Sequence, residues 1–255
     1  MLILLNPIKI IKSLPLIFYM LEIATFNIES AILAATAGAD RLELCDNPQE
    51  GGTTPSYGML KLVREKVAIP VFPIIRPRGG DFLFSDDEFE AMRKDIGLCK
   101  ELHFEGVVIG LLLADGSIDR KRTAQLAALA YPMEITFHRA FDRCKEPLQA
   151  LEDIIDCGCN RILTSGQLPN AFDGRKLIRQ LIEQADNRII IMPGSGVRSN
   201  NLKALQEYTG TSEFHSSARK IISTGMLYVQ DSMNESLENI SVDSDEIKKM
   251  KSQLV

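Results

Sequence analysis

The chain lacks every short motif that announces a chemistry by itself. It has no P-loop, no HExxH, no GxSxG and no CxxC. It also lacks an excess of positive charge. Twenty-nine lysines and arginines stand against 34 aspartates and glutamates, a net charge of −5. No basic stripe with interleaved aromatics occurs, so nucleic acid is not an expected partner. Residues Met1–Tyr19 are apolar, but Pro7 and Pro15 break the stretch and Lys9 and Lys12 lie inside it. It is too broken for a membrane helix, and no small-residue cleavage site precedes Met20, so neither a membrane partner nor a signal peptide is expected. The segment reads as a non-native upstream start with Met20 as the true beginning, or as an extension packed on the bottom of the domain.

A disulfide framework is missing too. The five cysteines, Cys45, Cys99, Cys144, Cys157 and Cys159, are odd in number and irregular in spacing, which points to a reducing compartment. Cys157-Gly158-Cys159 has one residue between its sulfurs, not two. It reads as two small buried residues at a turn or as a soft-metal pair. No domain boundary, low-complexity tract or longer repeat is visible.

What is present is one repeating pattern in 255 residues. Eight short β-rich runs alternate with helix-like stretches: Leu21–Phe26, Arg41–Cys45, Val71–Arg76, Gly106–Leu112, Met133–Arg139, Arg161–Ser165, Arg188–Met192 and Glu213–Ser217. Such alternation means βα units and a parallel sheet. Eight units in this length predict one α/β domain over residues 20–255, a single (β/α)8 TIM-type barrel, with its site at the C-terminal strand ends. Pro73 predicts a bulge or bend in strand three. Ser85-Asp-Asp-Glu88 predicts a capped helix start. Residues Met226–Asn239 read as a polar loop, and Asp243–Leu254 as a last helix.

Several strand ends carry candidate chemistry. His138-Arg139 closes strand five, with Asp142 close behind. A histidine suits proton transfer and an arginine suits carboxylate or phosphate. The alternative is an Arg139–Asp142 salt bridge that steadies the rim. Gly194-Ser195-Gly196 follows strand seven and Ser216 stands in strand eight, where barrels often hold phosphate on backbone N–H groups. The alternative is a plain chain turn. Glu22 and Glu43 occupy equivalent places in strands one and two, with Arg76 as the expected partner. They form a structural ion network or an acid–base pair. Cys45 is a soft-metal ligand favouring Cu(I), a nucleophile, or a small buried residue. His103 reads as filler.

Six stretches in order carry a family resemblance: Glu43-Leu-Cys45, Glu50–Ser56, Ile75–Phe82, Thr136–Asp142, Arg161–Gly166 and Glu213–Ala218. From Leu21 to Ala218 the chain resembles the CutC family of copper homeostasis proteins. The resemblance implies a (β/α)8 barrel, a cytoplasmic location, a homo-oligomer and a role in copper tolerance or Cu(I) trafficking. In some relatives two cysteines, ending strands one and two, are the proposed Cu(I) site. Here Cys45 matches the second, and Ala24 replaces the first. The resemblance also marks Arg76, His138, Arg139, Thr164, Ser165, His215 and Ser216 as motif residues.

Two functional expectations follow. One is a Cu(I)-binding protein with Cys45 as metal ligand. The other is an enzyme acting on a small anionic ligand. In it Gly194, Ser195, Gly196 and Ser216 hold the anion and Arg76 orients the substrate. His138 is acid or base, with Glu43 or Asp142 as its partner.

Overall fold

A computed structural model describes residues 18–254. The N-terminal extension expected over Met1–Tyr19 thus lies almost wholly outside the described residues. Eight strands, β1 (Met20–Thr25), β2 (Arg41–Leu44), β3 (Val71–Pro73), β4 (Gly106–Ile109), β5 (Glu134–Phe137), β6 (Arg161–Thr164), β7 (Ile190–Pro193) and β8 (Glu213–Ser216), follow one another in parallel. Helices α1 (Ile28–Thr36), α2 (Tyr57–Lys66), α3 (Asp86–Glu101), α4 (Arg120–Ala130), α5 (Pro147–Asp156), α6 (Arg175–Ala185) and α7 (Leu202–Thr209) fill the connections.

The strands form two four-stranded ladders, β3-β2-β1-β8 and β4-β5-β6-β7. One seam is bridged at Ile74 and Val108. At the other, β7 packs beside β8, and the Thr211 hydroxyl donates to the Ile191 carbonyl at 2.8 Å. The architecture is the expected (β/α)8 barrel fold, although the hydrogen-bonded ladder is not continuous round the ring. Leu42, Leu44, Val107, Ile109, Ile135 and Ile162 are buried in the main apolar cluster with α1, α3 and α5. In β2 and β4 these are alternate positions, which pack toward the helices while the residues between them face the barrel interior.

Local chemistry sets the element ends. Ser85 and Glu88 form a full capping box at α3, as the sequence indicates. Asp119 caps α4, and Pro147 opens α5. Most strands are shorter than their sequence pattern. Strand β3 ends at Pro73, which has no N–H to continue the ladder, and only the Ile74 bridge extends it. Past Ala218 the chain does not form a simple loop. It leaves the barrel as an antiparallel hairpin, β9 (Arg219–Ile222) with β10 (Asn239–Val242). Ile221, Met226, Leu227 and Tyr228 are exposed along this arm. Helix α8 (Ser244–Ser252) then returns to the barrel, with Ile247 and Met250 buried. Among the described residues no helix is long and apolar enough to cross a membrane.

Candidate functional site

The C-terminal strand ends surround a cavity of about 920 Å³. Strand register decides what lines it. Glu22 on β1 pairs with Arg41 on β2 and with His215 on β8. Lateral neighbours in a parallel sheet point the same way, so these three side chains share the barrel interior. Two residues higher on β1, Ala24 pairs with Glu43, and both line the cavity.

The wall of β1, β2 and β8 is a connected ion network. Arg41 donates to Glu22 and, at 2.8 Å, to Glu213. Arg161 donates to the same Glu213 carboxylate at 2.6 Å and to Glu134 at 3.1 Å. The Phe72 ring lies against both guanidiniums, 5.0 Å and 5.6 Å from its centroid. The expected partner of the two glutamates, Arg76, takes no part. The register puts Arg41 beside Glu22, whereas Arg76 sits beyond the end of β3 and donates to the Glu50, Gly52 and Gly80 carbonyls at 2.6, 2.9 and 2.8 Å.

His215 stands at the top of this network. Its Nδ1 lies 2.8 Å from Glu22 and its Nε2 lies 3.7 Å from Glu43. The Glu22 carboxylate thereby fixes Nδ1 as the protonated nitrogen and leaves Nε2 facing Glu43. Burial disfavours a charged His215, but the hydrogen bond and charge of Glu22 and the charge of Glu43 outweigh it and raise its pKa. Burial also pushes the Glu43 carboxyl up, to about 7, against the opposing pull of His215. Glu22 moves the other way, since Arg41 and His215 outweigh its desolvation and hold it well below the carboxylate range. A carboxyl raised to about 7 and an imidazole raised above its ordinary value therefore face the cavity side by side.

The lining at the ends of β3 and β5 is built differently. His138 Nδ1 accepts the Ala140 N–H at 3.1 Å, which leaves the imidazole proton on Nε2. Burial and the charge of Arg76 depress its pKa to about 3, so the ring is neutral. As a neutral ring it offers an Nε2–H donor to this part of the cavity, beside the acid or base role expected from the sequence. The Phe82 ring packs 5.0 Å from the imidazole and 4.8 Å from the Arg76 guanidinium. Asp142 is not a partner for His138. It accepts from Thr164 Oγ1 at 2.5 Å, from the Ser165 N–H and hydroxyl, from the Gln167 N–H and from Arg139 at 2.8 Å. The Arg139–Asp142 bridge at the rim is thus present.

Seven of the residues singled out in the sequence line the cavity: Glu43, Arg76, His138, Arg139, Ser195, Gly196 and His215. Thr164 and Ser165 lie behind it, held by Asp142. The Ser216 hydroxyl is spent on the Val197 carbonyl at 2.7 Å. Gly194 donates its N–H to Thr164, and any side chain there would strike Leu163 and crowd His215. Gly194 therefore makes room first for Leu163, with His215 in tight contact beside it. The N–H groups of Ser195 and Gly196 have no acceptor among the described residues. Sequence reasoning missed Arg143 and Arg219, which add charge to the mouth. It also missed Arg41, Arg161 and Glu213. All three sit at the first or near-first position of a strand, where a buried charge pattern was the available signal.

Cys45 does not line the cavity. It packs with Phe72, Ile74 and Val108, and Gly52 closes over its sulfur. Burial, reinforced by the Glu43 charge, raises its pKa well above the ordinary thiol value. Ala24 supplies no second sulfur. Among the described residues no three His, Cys, Asp or Glu side chains are grouped to hold a metal. Two-coordinate Cu(I) needs two soft ligands as thiolate or thioether, so the residues present do not fit that site. Cys157 and Cys159 are free and buried on either side of the left-handed Gly158, as small residues at a turn.

Comparison with known proteins agrees with this architecture. The profile of the CutC family matches residues 19–220. A family protein CutC of Chromobacterium violaceum is 53% identical over 208 residues, 82% of this chain and 84% of that protein. The human copper homeostasis protein cutC homolog is 48% identical over 210 residues, 82% of this chain and 77% of its own. The crystal structure of CutC from Streptococcus agalactiae superposes with a TM-score of 0.74 at 34% identity, over 78% of this chain and 99% of that one. Phosphoribosylanthranilate isomerase of Thermotoga maritima, at 13% identity and a TM-score of 0.57, shares the fold alone. By profile, sequence and structure together, the chain belongs to the CutC family.

Proposed function

We propose that the protein serves copper homeostasis, the role for which its human and mouse relatives are named, and does so as a cytoplasmic enzyme acting on a small anionic metabolite. The observation that carries this reading is the Glu43–His215 pair, braced by Glu22 and Arg41 and open to the cavity. Such a pair transfers protons near neutral pH. Arg139, Arg143 and Arg219 at the mouth, with the Ser195 and Gly196 N–H groups, supply the charge and donors that hold an anion. Five free, buried cysteines support a reducing location. A homo-oligomer is the assembly proposed, with the apolar side chains exposed on the arm as its surface.

Calorimetric titration with inorganic phosphate, backed by a phosphate-soaked crystal, tests the anion site. The expected result is one phosphate at the Ser195–Gly196 turn, weakened in Arg219→Ala. An empty mouth at saturating phosphate contradicts the reading.

The name of the relatives favours a second reading, Cu(I) binding or trafficking through Cys45. An anaerobic Cu(I) competition titration separates the two. Stoichiometric binding lost in Cys45→Ser supports copper handling at that residue, and equal behaviour of the two proteins removes it.

A further inference from the structure

Five buried side-chain polar atoms lack a hydrogen-bond partner among the described residues. Three belong to Ser30, Thr123 and Gln253, on α1, on α4 and at the end of α8. The other two, His138 Nε2 and Arg76 Nε, belong to residues that line the same cavity. Both are N–H donors, because Nδ1 of His138 already accepts and an arginine Nε always carries its proton. Both side chains pack against the one ring of Phe82. Both residues are only 4% exposed. A buried donor left unpaired costs about 1–3 kcal/mol. The fold therefore maintains two such costs on one wall.

The seat of the imidazole is itself specialised. A side chain at Gly110, just past β4, would run into the His138 ring at 2.3 Å. Across the cavity, a side chain at Gly194 would strike Leu163 and crowd His215 at 3.1 Å. The two histidines thus face one chamber from opposite walls. One is a neutral donor on β5. The other sits in a proton-exchanging pair on β8 with Glu43 of β2.

We propose that His138 Nε2–H and Arg76 Nε–H together receive the carbonyl oxygen of an anionic aldehyde or ketone, and that the reaction is proton transfer next to that carbonyl. This rests on the acid–base reading above and names its substrate class. The C–H bond beside the carbonyl breaks, and its proton passes to the unprotonated member of the Glu43–His215 pair. The bonding electrons form a C=C bond, and the carbonyl π electrons move onto oxygen. That oxyanion is held by the two N–H donors. Return of the proton to the opposite face of the same carbon inverts that centre, and its return to the oxygen releases the enol; both are isomerisations with no oxidant or reductant. A neutral imidazole suits this task, because it strengthens its hydrogen bond as charge develops on the oxygen without binding the ground state as an ion pair. The Phe82 ring keeps the donors dry, which strengthens them further.

Oxalate, a planar mimic of such an enolate, and inorganic phosphate are the two probes. Calorimetry at pH 7.5 compares the wild type with His138→Phe, which keeps a ring of similar size and removes the donor. The expected result is that oxalate weakens by about 10- to 100-fold while phosphate is unchanged. On the wild type, ¹⁵N-histidine spectra give a second readout independent of how the variant folds. Oxalate is expected to shift the His138 Nε2–H proton downfield and phosphate to leave it in place. Equal weakening of both probes, or no shift with bound oxalate, overturns the donor pair and leaves the anion site standing. Phosphate binding with no oxalate binding has the same meaning. Failure of both probes to bind overturns the donor pair and the anion site together.

Discussion

The two walls of the barrel mouth follow opposite rules. On the β1–β2–β8 wall the buried charges Glu213, Arg41, Glu22 and His215 are linked in a chain, and Arg161 of β6 joins it at Glu213. On the β3–β5 wall, two buried donors have no acceptor at all. A paired network fixes geometry and tunes pKa values, and it tolerates little loss. An unpaired pair of donors contributes nothing to folding, and on the proposal above a ligand oxygen is what meets it. On that proposal the difference separates residues that hold the barrel together from residues that receive a substrate.

The largest expected effect breaks the paired wall. Arg41→Leu leaves the Glu22 and Glu213 carboxylates buried without their main cation. The expected loss is about 3–5 kcal/mol, read as a lower urea midpoint, or no folded protein. Gly110→Ala drives a methyl into the His138 seat. An overpacking cost of about 1–3 kcal/mol is expected, with loss of oxalate binding. His138→Phe gives up the bond from the Ala140 N–H but also removes the unpaired Nε2–H, so its stability changes by less than about 1 kcal/mol although its ligand is lost. Arg139→Ala cuts a half-exposed rim bridge and costs less than about 1 kcal/mol.

The paired wall also predicts a pH dependence. Glu43 is raised from its ordinary 4.5 to about 7 in the fold. The folded chain therefore keeps a proton there that the unfolded chain releases. Stability from this source is complete below about pH 4.5 and falls as pH rises through 7. His215, also raised above its ordinary 6.5, loses its contribution in the same direction as pH passes its folded value. His138, depressed to about 3, works the other way below 6.5, so the fall is read above that value: urea midpoints measured at pH 6.5 and 8 should fall with rising pH in the wild type, and Glu43→Gln should flatten that fall. Glu22, which is lowered, works in the opposite sense and loses its contribution as pH drops below 4.5.

The barrel was legible because its strands are buried on both faces and its helices carry caps, and both leave local marks. The mouth was legible by position, since Glu43, Arg76, His138 and His215 all stand near strand ends. Partnerships were not. Arg76, on the strand next to β2, looked like the cation for Glu22 and Glu43, but lateral register gave that place beside Glu22 to Arg41, and register is a three-dimensional property. Asp142 looked like a partner for His138 by spacing, yet the short helical turn after β5 aims it at Thr164 and Ser165. The hairpin of β9 and β10 was hidden because the polar residues between its strands resemble an ordinary loop.

The contrast between the walls is tested most directly by a pH titration of the histidine ring nitrogens in the ¹⁵N-labelled wild-type protein. There are three histidines, His103, His138 and His215. The account predicts that His138 stays neutral, protonated on Nε2, down to about pH 4. It predicts that His215 keeps its proton on Nδ1 and takes up a second at a pH above the ordinary histidine value. A His138 that titrates near 6.5, or a His215 that stays neutral at pH 6, contradicts the division of labour between the two walls.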